Sequence, residues 1–123
     1  MSTSTKSYKD LIVWQKAMDL VSVCYEIIES LPPRETYALG NQIIRAAVSI
    51  PSNIAEGYRR NGRAEYIQFC GIASGSAAEI ETQLLIVKGI YKTKKTEDAL
   101  LLVTEVQKML YALIRQLKLN AKS

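Results

Sequence analysis

RAAVSIPSNIAEGYRRNG, residues 45–62, sets a proline inside a run that otherwise reads as helix, crowds small residues around it and carries Arg59 and Arg60 near its end. A proline within a helix loses one hydrogen bond and presses on the carbonyl four residues back, here that of Ala47, at a cost of about 3 kcal/mol unless its surroundings absorb the strain. Starting a new helix at Pro51 would leave Ile50 as its cap, a poor choice. Ser49 and Ser52 are placed to bond the freed backbone groups, so the stretch reads as one continuous helix kinked at Pro51. Ala46, Ala47, Ser49, Ser52 and Ala55 leave little side chain between this backbone and a neighbour. That marks a packing joint rather than a catalytic turn, since no base in the sequence stands ready to activate either serine.

Outward from this joint, apolar residues recur at three- and four-residue spacing in four segments. The first helix is expected from an Asp10 N-cap, with Trp14, Ala17, Val21, Cys24, Ile28 and Leu31 on its seam, and Pro32 and Pro33 end it. The second, with Glu35 in its first turn, carries Leu39, Ile43, Ala46 or Ala47, Ile50 and Ile54, and Gly57 suits its C-cap. The third runs from near Asn61 to about Tyr91 on Cys70, Ala73, Ala77, Ile80, Leu84, Val87 and Tyr91. After a turn of Lys92 to Lys95, Thr96 caps a fourth helix built on Ala99, Val103, Val106, Leu110, Leu113 and Leu117. The expected fold is all-α: an up-down-up-down antiparallel four-helix bundle over residues 10–119, with a flexible N-terminal tail at 1–9 and a C-terminal tail at 120–123.

The third helix breaks the usual pattern of a surface helix. Opposite its seam lie Ala64, Gln68, Gly71, Gly75, Ala78, Thr82, Ile86 and Gly89, where a solvated face would carry Lys and Glu. Each glycine costs roughly 1 kcal/mol inside a helix, so this face calls for a compensating contact. The reading is a homo-oligomer whose interface includes Gly71, Gly75, Ala78 and Thr82.

The formal charge is +4, and an up-down-up-down path concentrates it. One end of such a bundle gathers Lys6, Lys9, Arg59, Arg60, Arg63, Arg115, Lys118 and Lys122 against Asp10, Glu56 and Glu65, a net of +5. The remaining charges nearly cancel. Guanidinium and ammonium groups collected in this way suit a phosphate backbone, and Tyr58 beside Arg59 offers a ring for base stacking. Nucleic acid, with RNA foremost, is therefore the expected ligand, through Arg59, Arg60, Arg63, Lys6, Lys9, Arg115 and Lys118. The alternative is a protein-interaction scaffold that does not touch nucleic acid.

Catalysis is the weakest reading. The chain has no histidine, which removes the commonest general base and metal ligand. Glu56, Glu65, Glu79 and Glu81 lack the Glu-x-x-His partners of a di-metal bundle, and Glu79 and Glu81 point to different sides of their helix. No enzyme activity, cofactor or metal is expected. Cys24 and Cys70 sit in apolar helical context without CxxC spacing, no apolar run approaches a membrane span, and the polar start has no signal-peptide pattern. A reducing cytoplasm suits such a chain.

DLIVWQKAMDL (10–20), LPPRETYALGNQIIRAAVSIPSNIAEGYRR (31–60) and EYIQFCGIASGSAAEIE (65–81) together resemble the four-helix-bundle family of proteins encoded in intervening sequences of bacterial 23S rRNA genes. The accessory protein of diversity-generating retroelements is similar. The resemblance runs from about residue 8 to residue 115 and sets the family's N-terminal tryptophan on Trp14, its kink proline on Pro51, its basic turn on Arg59 and Arg60 and its small-residue run on Gly75 and Ser76. It implies a homopentameric barrel of bundles with a basic surface. For the retroelement relatives it also implies binding of nucleic acid and of a reverse transcriptase. It supplies no active-site residues.

Overall fold

The computed structural model describes residues 6–120, and all regular structure among them is helical. Four long helices carry the fold: α1 (Ile12–Ser30), α2 (Asn41–Arg59), α3 (Arg63–Ile90) and α4 (Lys94–Asn120). α1 packs on α2 and α4, and α3 packs on the same two, so the four surround one core as a bundle. Leu20 and Ile27 of α1, Ile43, Ile50 and Ile54 of α2, Ile80 and Leu84 of α3, and Val103, Val106 and Leu110 of α4 are fully buried there. Each such side chain contributes roughly 1.5–3 kcal/mol of burial, and this offsets the conformational entropy of ordering the chain.

Polar contacts tie helix ends that are distant in sequence. Tyr91, just after α3, donates its hydroxyl to Glu35 Oε2 at 2.7 Å and accepts from Arg34 Nη2 at 3.4 Å. The bond to Glu35, and after it desolvation, raises the Tyr91 pKa. At the other end of α3, Arg63 Nη1 donates to the carbonyl of Asn120, the last residue of α4, at 3.1 Å. Lys16–Glu105 and Lys95–Glu26 join α1 to α4 at 3.5 Å and 3.9 Å. These exposed pairs align helices more than they stabilise them.

α2 runs without interruption through a buried Pro51, as the opening stretch requires. The expected helper role of Ser49 is different in detail. Its hydroxyl pairs with the Ser76 hydroxyl of α3 at 2.8 Å and accepts from Asn53 Nδ2 at 3.0 Å, and the same Asn53 amide reaches the Ser49 carbonyl at 2.8 Å. The joint is thus stitched across to α3 as well as along α2.

Several expected boundaries move. Asp10 does not cap α1. Its carboxylate accepts from the backbone of Lys6 at 3.0 Å and Ser7 at 3.2 Å, closing a 3₁₀ turn over Tyr8–Asp10 in a capping box with Ser7. Residues 7–9, expected in a flexible tail, therefore hold a hydrogen-bonded turn, and Tyr8 packs edge-on against Trp14 with ring centroids 5.4 Å apart. Residues 1–5 and 121–123, including Lys122, lie outside the described residues.

The α1 seam is rotated toward Val13, Leu20 and Ile27, leaving Trp14, Val21 and Ile28 half-buried at its edge. Both sets are apolar at heptad spacing, so periodicity could not rank them. Thr96 is buried within the first turn of α4. Thr93 performs the capping instead, its hydroxyl accepting from the Thr96 amide at 3.2 Å. A wide π turn at Thr36–Gly40 leads into α2.

Gly57, expected at a C-cap, sits inside α2 and is buried, and the helix continues to Arg59. A Cβ there would stand 2.8 Å from Cβ of Phe69 and 3.1 Å from Cδ1 of Tyr66, so the glycine serves the close approach of α2 and α3.

Cys24 and Cys70 are buried free thiols. Burial pushes Cys24 from 9.0 up to about 12 and Cys70 up to about 11. Both hold their protons more tightly folded than unfolded, so stability is complete below the unfolded value of 9.0 and falls as pH rises toward 11–12. A thiol reagent at mildly alkaline pH is expected to leave both unmodified in the folded protein and to titrate both in denaturant. A fast-reacting thiol under native conditions would show that the core opens.

Candidate nucleic-acid interface

The basic residues singled out by sequence fall into two clusters on either side of the α2–α3 corner. In the first, Arg59 and Arg60 at the end of α2 share an open groove of about 610 Å³ with Tyr8, Ser52, Ala55 and Glu56. The N-terminal turn that places Tyr8 there also carries Lys9, whose backbone carbonyl accepts from Gln15 Nε2 at 2.8 Å. Lys6 precedes the turn and is tied through its backbone amide to Asp10. The groove continues over Tyr8, Ser52 and Ala55 into an apolar one of about 320 Å³ between α1 and α2, lined also by Trp14, Met18 and Pro51.

In the second cluster, Arg63 at the start of α3 lies against the C-terminal end of α4, which carries Arg115 and Lys118. A guanidinium beside the last carbonyls of a helix is favoured by the helix dipole, so the position of Arg63 is stabilising in its own right.

The cations are not equivalent. Arg60 Nη2 meets Glu56 Oε2 at 2.8 Å, its Nη1 stands 3.8 Å from Glu65 Oε2, and its Cζ lies 5.0 Å from the centroid of the Phe69 ring. Two carboxylates and an aromatic face therefore engage a residue that the sequence counts with the free cations. Arg59, Arg115 and Lys118 are exposed and have no ion pair among the described residues.

Tyr58, the ring expected to stack on a base, is half-buried edge-on to Tyr66, with centroids 6.0 Å apart and planes at 85°. Burial first, then the neighbouring Cys70 and Tyr58, push Tyr66 up to about 12. Tyr111 is exposed and lines a cavity with Arg115 and Lys118 on α4. Sequence reading missed it, although a tyrosine four residues before an arginine on one helix is a visible signal.

The face of α3 expected to pack on another subunit is exposed throughout: Ala64, Gln68, Gly71, Gly75, Ala78, Thr82, Ile86 and Gly89. No atom outside the local helix lies within 4 Å of a Cβ built at Gly71, Gly75 or Gly89. Ile72, Leu85 and Ile90 add exposed apolar surface around it. Among the described residues no three His, Cys, Asp or Glu side chains come together as a metal site, and no helix is long and apolar enough to cross a membrane.

Comparison with known proteins agrees with this architecture. A crystal structure of a protein of unknown function from the S23 ribosomal protein family of Bacteroides thetaiotaomicron is similar over 85% of this chain and 96% of that one, with a TM-score of 0.77 and 26% sequence identity. No curated protein matches. Residues 9–112, most of the chain and all of the bundle's first three helices, match the family described as 23S rRNA-intervening sequence protein, and the chain belongs to that family.

Proposed function

We propose that this chain is a non-enzymatic, homo-oligomeric helical bundle of the reducing cytoplasm that binds nucleic acid, RNA foremost, through one basic end. In this reading the helices alternate up and down and α2 bends at Pro51. The end of α2, the start of α3, the end of α4 and the N-terminal turn then share one end of the bundle. The observation that carries the reading is the set of exposed cations Arg59, Arg115 and Lys118, which lack acidic partners among the described residues. Unpaired guanidinium and ammonium groups gathered at one end of the bundle would attract a phosphate backbone and release its counterions. The glycine-rich face of α3 supports assembly, for which the family resemblance suggests a pentamer.

Light-scattering mass on a sizing column, with and without a structured RNA, tests both parts. The expected result is an assembly larger than the 13.7 kDa chain that takes up RNA at low salt and releases it at high salt. A monomeric mass would overturn the assembly. An assembly that ignores RNA at low salt would overturn nucleic-acid binding. It would favour the scaffold reading, to which the exposed apolar residues of α3 also lend themselves, with a protein such as a reverse transcriptase as the partner suggested by the retroelement relatives.

A further inference from the structure

We infer that α4 carries a base-stacking subsite, with Tyr111 as the platform and Arg115 and Lys118 as its phosphate contacts, and that the nucleic acid bound there is single-stranded. This rests on the nucleic-acid reading above and names the class of ligand. Tyr111 is 68% exposed toward the C-terminal part of α4, so its ring is open to a flat partner. It lines a cavity of about 310 Å³ with Ser74 of α3 and with Ile114, Arg115, Lys118 and Leu119 of α4. Ile114 and Leu119 give the cavity apolar lining, Ser74 adds one hydroxyl able to meet a base edge, and the two cations line it as well.

Charge decides which occupant fits. No carboxylate lines the cavity, and neither Arg115 nor Lys118 has an ion-pair partner among the described residues. A largely apolar cavity whose charged lining among the described residues is cationic suits a flat apolar group that carries its own anion, as a nucleotide does. Helix geometry supplies the spacing. Arg115 follows Tyr111 by one turn, about 6 Å along the axis, which is the reach from a stacked base to its own phosphate. Lys118 lies about 10 Å along, and Arg63 beyond it at Asn120 extends the cationic track.

A duplex hides its base faces within the stack, whereas an unpaired base offers one to Tyr111. A second copy of this chain is the rival occupant, since Ser74 borders the exposed face of α3. It would have to bring carboxylates to the rim.

Fluorescence anisotropy with a labelled oligouridine and with a duplex RNA of equal length separates these cases, using wild type, Tyr111→Phe and Tyr111→Ala at fixed low salt. Tyr111→Ala is expected to weaken oligouridine binding by roughly fivefold to a hundredfold, the range for losing one stacked base. Tyr111→Phe should stay close to wild type, duplex affinity should not move, and the salt slope should be unchanged because no charge is lost. Equal oligouridine affinity of wild type and Tyr111→Ala would overturn the subsite while leaving the basic end standing. Failure of wild type to bind either RNA would overturn both readings. A fall in light-scattering mass for Tyr111→Ala would assign the cavity to a second copy and overturn the inference.

Discussion

Gly57→Leu is expected to unfold the bundle, while Gly75→Leu is expected to keep the fold and break the assembly. The two glycines lie in neighbouring helices but face opposite surroundings. At Gly57 an added Cβ meets Phe69 Cβ at 2.8 Å, Tyr66 Cδ1 at 3.1 Å and the Tyr66 carbonyl at 3.3 Å. The first of these atoms and the carbonyl belong to or adjoin the α3 backbone and cannot swing aside. Alanine there gains about 1 kcal/mol of helix propensity and loses more to the clash, a net loss of roughly 1–2 kcal/mol. Leucine has no space at all, and its loss of about 3 kcal/mol or more is a large part of a small domain's stability.

At Gly75 the added group meets nothing within 4 Å, so the protomer should gain up to about 1 kcal/mol. The same leucine projects into the face proposed to be covered, so the mass in solution should fall. Urea unfolding followed by circular dichroism, with light scattering on the same samples, reads both effects. Wild-type stability of Gly57→Leu would mean that α2 and α3 stand farther apart than described. Wild-type mass of Gly75→Leu would mean that the α3 face meets only solvent.

Joint reversal of Arg59, Arg60 and Arg63 to glutamate is expected to abolish polyanion binding, since it exchanges three positive charges for three negative ones beside the proposed phosphate path. The single neutral variants divide that effect unequally. Arg59→Gln and Lys118→Gln should each weaken RNA binding and lower the salt slope by about 1, as loss of one phosphate contact does. Arg60→Gln should leave the slope almost unchanged, because Glu56, Glu65 and Phe69 already engage that guanidinium. It should instead lower stability by about 1 kcal/mol, the scale of an exposed ion pair with a cation–π contact. RNA binding that survives the triple reversal with its salt slope intact would remove the basic end from the mechanism.

The helical period carried most of the architecture. Residues such as Ala73, Ala77, Ile80 and Leu84 are buried where the seam of α3 places them, because burying an apolar stripe is the dominant favourable term in folding. What the period cannot rank is two apolar stripes on one helix, which is why the α1 core turns to Val13, Leu20 and Ile27. Caps were legible only by residue type. Asp10 closes a 3₁₀ turn with Ser7 ahead of α1, whose N-cap Leu11 makes no side-chain cap bond, and Thr93 rather than Thr96 caps α4. Gly57 looked like a terminator because sequence shows a missing side chain without showing what fills its place. Among the candidate site residues the charges were legible and their pairing was not. Arg60 and Arg59 are adjacent arginines in the sequence, and only the fold distinguishes the one paired with carboxylates from the one with no ion pair among the described residues.

The engagement of Arg60 also bears on the tempo of binding. A cation with one donor on Glu56 and a second carboxylate 3.8 Å away still adds to the far field of the protein, but these carboxylates compete with a visiting phosphate for it. Arg63, with one donor already on a helix terminus, is partly in the same position. On the proposed reading, a polyanion would be drawn in by a field set by the total charge and retained by the smaller number of groups free to grip it. Long-range attraction governs arrival and short-range contacts govern departure. If the proposed binding holds, such a surface would favour quick capture over long residence.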